Sequence, residues 1–167
     1  MAMQGAMRVA FDDVFPHGAW LPGAVQPVRD FKRSSKDVEV QEVVRDDKGE
    51  PVLVDGEQQR VWQVDVIDGD EDVSGEAKRV RVKIVSVRRP VPPALFPGTP
   101  FRPVLLEGLS VRAWVNTDRC KVEAGRPHRC GARQAWSFWA TGLREANPAA
   151  VAAAAEKVGA GNGRAAR

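Results

Sequence analysis

Val61 to Asp68 reads VWQVDVID, and Lys78 to Val87 reads KRVRVKIVSV. Both stretches alternate with a period of two, the pattern of an extended strand with one buried face. Trp62, Val64 and Val66 share one face of the first. Val80, Val82 and Ile84 share one face of the second, with Arg79, Arg81 and Lys83 opposite. The acidic stretch DGDEDVSGE, residues 68–76, lies between them. The pair therefore predicts a hairpin with a long, charged loop.

The same β pattern continues in both directions. Toward the N-terminus, His17 to Val28 contains Pro22 and Pro27 and reads as an interrupted edge strand. Residues 29–37 are polar and predict a loop, and Val38 to Val44 predicts a short strand. DDKGEP (46–51) is a turn signal, and Val52 to Val54 is expected to pair back ahead of a second turn at Asp55-Gly56. Toward the C-terminus, PVPPALFPGTP (90–100) carries five prolines and predicts a stiff, irregular connector. Phe101 to Leu106 and Leu109 to Val115 are strand segments around Glu107-Gly108, and 116–131 predicts a protruding loop. Ala132 to Leu143 is the last strand, with Trp136, Phe138 and Ala140 expected inward and Trp139 and Thr141 outward. Beyond Asn147-Pro148 the composition shifts to AAVAAAAEKV and then GAGNGRAAR, the pattern of a short Ala-rich helix and a disordered tail. The expected architecture is all-β, with one domain over 1–146 and the helix and tail over 147–167. A small OB-like barrel fits this size, and a β-sandwich is the alternative.

The net charge of +3 conceals a sharp division. Residues 37–76 hold fourteen acids against three bases, whereas 77–167 hold seventeen bases against five acids. Such a division sustains a local field that the total does not reveal. Arg outnumbers Lys eighteen to seven, which suits bidentate phosphate contacts, although a GC-rich genome produces the same bias. No apolar run is long enough to span a bilayer, and the first residues lack the apolar core of a secretory signal. A cytoplasmic protein without membrane contact is expected.

Several patches, kept in order, resemble one family. They are FPHG (15–18), VQPVRDFKRS (25–34), VWQVDVID (61–68), VPP (91–93), PGTPFRPVLLEGLSVRAWV (97–115) and WSFWATGLR (136–144). Together they resemble the plasmid replication, integration and excision activators of integrative conjugative plasmids in high-GC Gram-positive bacteria. The resemblance spans roughly residues 3–145 and departs in 117–131, which is longer here and carries both cysteines. It implies an accessory protein that works with the element's replication, integration and excision proteins, and it carries over no catalytic residues.

The strongest binding candidate is the stripe Arg79, Arg81, Lys83 with Arg88 and Arg89 beyond it. Alternate strand residues stand about 7 Å apart, close to the phosphate repeat of an extended single strand. The competing reading is a solvated face whose charges protect an edge. Trp114, beside Arg112, and Trp139 lie opposite the apolar sets of their strands, where an indole can stack a base. The alternative for both is burial under a neighbouring segment. Trp20 and Trp62 read as core or rim packing.

Other candidates carry less. Cys120, His128 and Cys130 supply three ligand types in one loop, and Asp118 or Glu123 would have to complete a zinc set. Free thiols are the expected state. His17 reads as a turn residue. Asp65, Asp68, Asp70, Glu71 and Asp72 lack the ligand order of a calcium loop and read as a solvated hairpin tip. No nucleophile, acid–base set, phosphate loop or dinucleotide fingerprint can be assembled, so neither an enzyme nor a cofactor is expected. The sequence points to a non-enzymatic protein that binds single-stranded DNA and serves element-encoded replication proteins. The alternative is a regulator of replication and excision genes, acting through protein contacts or duplex DNA.

Overall fold

In the computed structural model, residues 6–70, 72–121 and 129–147 are described. The chain is mostly β and forms a curled, half-barrel sheet. In order, the elements are β1 (Met7–Arg8), a single helical turn α1 (Phe11–Val14), β2 (Ala19–Leu21), β3 (Gln26–Pro27), β4 (Leu53–Val54) and β5 (Glu57–Gln58). They continue with β6 (Arg60–Asp68), a 3-10 turn (Gly75–Lys78), β7 (Arg79–Ser86), β8 (Arg102–Glu107), β9 (Ser110–Asn116), β10 (Arg133–Ala140) and β11 (Gly142–Glu145).

The expected central hairpin is β6–β7, antiparallel from Arg60 opposite Ser86 to Ile67 opposite Arg79. On the core face Trp62 lies beside Ile84 and Val64 beside Val82, with Val66 next along β6, all buried; Val61 is buried on the opposite face. The Trp62 indole N–H donates to the Ser86 carbonyl at 3.1 Å, so its polar edge is satisfied at the rim. In the loop, Asp68 and Asp70 carboxylates each accept the backbone N–H two residues on, at 3.0 and 2.9 Å. Such local bonds are what Asp supplies in a turn.

The remaining walls come from one long, kinked hairpin. β8 pairs with β11 and β9 pairs with β10 in a single register, with Glu107 opposite Gly142 and Ser110 opposite Trp139. The kink falls at Gly108, whose φ is +58° and whose Cβ, if present, would lie 2.4 Å from the Thr141 hydroxyl. Only glycine fits both the left-handed backbone and that approach. β10 also lies parallel to β7, Phe138 beside Val82 and Ala140 beside Ile84. Phe15, Ala19, Leu21, Val25, Val104, Leu106, Leu109 and Ala140 complete the buried cluster.

Several expectations change. The His17–Val28 run is interrupted as predicted, but β2 is not an edge: it lies between β6 and β8. Its tight packing shows at Gly69, where a Cβ would stand 2.1 Å from the His17 carbonyl oxygen. Val38 to Val44 forms no strand and makes only isolated bridges, Gln41 with Arg29 and Val43 with Arg60. The turn at Asp55-Gly56 forms as expected, but Leu53–Val54 pairs forward across it with β5 and not back as a strand. The proline connector is irregular apart from a turn at Phe96–Thr99, and Phe96 packs edge-on against Trp20 at 5.7 Å. The predicted Ala-rich helix and tail, from 148 on, lie outside the described residues. No described helix is long and apolar enough to cross a membrane.

Candidate nucleic-acid interface

The basic stripe folds onto the outer face of β7, but the acidic block folds onto it as well. Arg81 sits directly opposite Asp65 and its Nε donates to that carboxylate at 2.9 Å. The bond and the charge of Asp65 raise the Arg81 pKa, outweighing the smaller opposing effect of burial. Lys83 reaches Glu42 at 3.4 Å, and Arg88 reaches Glu57 at 3.5 Å. Arg89 turns the other way and donates to the Val25 carbonyl. Of the five residues, Arg79 and Arg89 have no described ion-pair partner; Arg79 borders a cleft lined by Pro22, Gln26, Gln63 and Asp65. Exposed pairs of this kind add only about 0–1 kcal/mol of stability each. Their larger effect is to occupy cations that a phosphate would need.

A second cationic surface lies along β9 and β10. β1 pairs with β9 only at Ser110 and Val111, and β7 pairs with β10 only from Phe138 to Ala140. Among the described residues, Arg112 to Asn116 and Arg133 to Ser137 therefore pair only with each other, as a two-stranded ribbon. This overturns part of the expected inward face. Trp136 does share a face with Phe138 and Ala140, yet it is 50% exposed, and Val115 is 64% exposed. The core ends before their strand positions do.

Trp114 lies on the opposite face of the ribbon and is 47% exposed. Burial under a neighbouring segment is thus not its fate. Trp139 is half-buried, where the ribbon joins the sheet, with the Arg112 guanidinium 4.4 Å and the Lys83 ammonium 4.9 Å from its ring centroid. Cations held over an indole gain about 0.5–1 kcal/mol at such sites. Trp139 therefore has one cation reaching its ring from each flanking strand, and a base stacking there would have to displace one of them. Farther out, the described ribbon residues include Arg112, Arg119, Lys121, Arg129 and Arg133 against one acid, Asp118. Among the described residues none of these five cations shares an ion pair.

No protein-family model, curated protein or solved structure matches this chain.

The structure thus brings Lys83, Arg112 and Trp139 together as one cluster. It places Trp114 two residues farther out, and sets Arg79, Arg81, Arg88 and Arg89 apart from the ribbon. Sequence reading placed Trp136 inward and missed Arg119, Lys121, Arg129 and Arg133 as candidates. Their signal was length: the segments flanking 116–131 run on well past any strand available to pair with them. Among the described residues no group of three His, Cys, Asp or Glu could hold a metal ion. His128, Glu123 and Glu71 lie outside the described residues. His17 occupies a turn, as read from the sequence, with a buried Nδ1 that has no hydrogen-bond partner among the described residues.

Proposed function

We propose that this chain is a non-enzymatic accessory protein of a mobile genetic element. In this reading it binds single-stranded DNA in the cytoplasm and supports the element's replication, integration and excision. The family resemblance supplies the biological setting, with element-encoded replication proteins as partners. The pairing order supports an OB-like barrel as the scaffold. β2, β6 and β7 form a meander, β7 runs parallel to β10, and the β8–β9 arm returns to lie beside β2. In that frame the ribbon continues the loop between the last two barrel strands, one of the loops OB folds use to hold oligonucleotides.

The observation that carries the proposal is the ribbon's composition: two half-exposed indoles among five cations free of described ion pairs. Base–indole stacking contributes about 1–3 kcal/mol per base and tolerates any sequence, while the cations follow the backbone. The bound strand would run along the ribbon toward Arg112 and Trp139, short of the Lys83–Glu42 ion pair. The regulator reading draws on a different observation. Arg81, Lys83 and Arg88 are already paired with acids, which weakens the sheet face as a phosphate track. Fluorescence anisotropy with labelled single strand, duplex and RNA across a salt series separates the two. Single-strand preference with a log–log slope of about −3 to −4, as five contacts require, supports the proposal. Negligible binding of all three ligands at low salt refutes it and favours the regulator.

A further inference from the structure

We propose that Cys120 and Cys130 are a redox-responsive pair that closes into an intrachain disulfide, clamping the two arms of the ribbon. Backbone register brings the two cysteines together, independently of any DNA binding. Lys121 and Arg129 exchange both backbone hydrogen bonds, at 3.1 and 3.2 Å. They are thus a hydrogen-bonded pair of an antiparallel ladder. On the other side of the cysteines, a Cβ at Gly131 would stand 2.6 Å from the Arg119 carbonyl oxygen, so those two residues are also in contact. Between these fixed points Cys120 and Cys130 are the directly opposed pair. The Cys120 N–H turns back to the Thr117 carbonyl at 2.8 Å, as it should in a position that makes no hydrogen bond across the ladder. Opposed residues at such positions approach to about 4.5 Å between Cα atoms, with side chains on the same face. A disulfide accepts Cα separations of about 4.4–6.8 Å.

Both thiols are free in the structure, Cys130 exposed and Cys120 half-buried. That asymmetry sets the order of events with a low-molecular-weight disulfide, such as oxidised glutathione, as oxidant. The Cys130 thiolate attacks one sulfur of the oxidant, breaking its S–S bond and releasing one small thiol. The Cys120 thiolate then attacks the Cys130 sulfur, forming the intrachain bond and releasing the second small thiol. The protein loses two electrons to the oxidant, and the two protein thiol protons end on the released thiols. Excess reduced glutathione reverses both steps.

The test incubates the full-length protein with oxidised glutathione and reads intact mass and free thiols. Wild type should lose both thiols, gain no glutathione, and remain monomeric on a non-reducing gel. Cys120→Ser should instead accumulate a stable adduct at Cys130. An opposed thiol acts at an effective concentration of about millimolar or above. With reduced glutathione about tenfold below that, the wild-type adduct should be at least about tenfold lower than in Cys120→Ser. Stable adducts on both wild-type cysteines, or disulfide-linked dimers in place of the intrachain bond, would overturn the proposal.

Discussion

Neutralising the ribbon should cost far more DNA affinity than dismantling the stripe on β7, although the stripe is the denser run of charge in the sequence. The first variant is Arg119→Gln, Lys121→Gln, Arg129→Gln, three cations without described ion pairs. Each phosphate contact on a single strand contributes about 0.7 to the log–log salt slope, hence about fivefold in affinity near 0.1 M salt. Three lost contacts predict about a hundredfold loss and a slope shallower by about 2. The second variant removes whole ion pairs at constant net charge: Asp65→Asn with Arg81→Gln, and Glu42→Gln with Lys83→Gln. Because those cations already face carboxylates at 2.9 and 3.4 Å, few counterions are released there, and both slope and affinity should stay within about twofold. The assay is anisotropy of labelled oligothymidylate from low to high salt, with circular dichroism confirming the fold of each variant. A slope that collapses in the second variant and survives in the first would refute the reasoning, and would return the binding face to β7.

Trp114→Ala and Trp136→Ala should each weaken oligothymidylate binding by about 1–3 kcal/mol. Both side chains are half exposed, so thermal melting should barely move; a large drop in melting temperature would place them in a packed interface. Ile84, fully buried, should cost about 2–5 kcal/mol when cut to Ala, read from the urea midpoint. Gly108→Ala should destabilise by more than about 1 kcal/mol, given its φ of +58° and the Thr141 hydroxyl 2.4 Å from the new Cβ; an unchanged urea midpoint would contradict the kink geometry.

The β6–β7 hairpin was legible because period-two alternation encodes one buried face, and Val64, Val66, Val82 and Ile84 obey it. Val38 to Val44 carried a similar apolar frequency but found no continuous partner, and propensity without a ladder makes only bridges. The inward assignment of Phe138 and Ala140 followed from the same periodicity, which reports faces but not where a core ends. Trp136 therefore shared their face without sharing their burial. Charge misled for a related reason. A run of Arg and Lys is visible along the chain, whereas Asp65 reaches it through the hairpin register and Glu42 and Glu57 only once the preceding segment folds back. Where the acids are brought to the bases, sequence distance between the two blocks says nothing about the field that remains.

The parallel pairing of β7 with β10 also bears on synthesis. During translation β6 and β7 can zip together as soon as Ser86 has emerged, because their contacts are local. The outer edge of β7 along Val82 to Ile84 then has no partner until Phe138 to Ala140 are made. At about 5–20 residues per second, that interval lasts several seconds, during which a bare strand edge is open to neighbouring chains. Arg81 and Lys83 line this edge with their carboxylate partners Asp65 and Glu42 already made. What guards it until β10 arrives is therefore a row of charged, hydrated side chains that a second strand would have to desolvate.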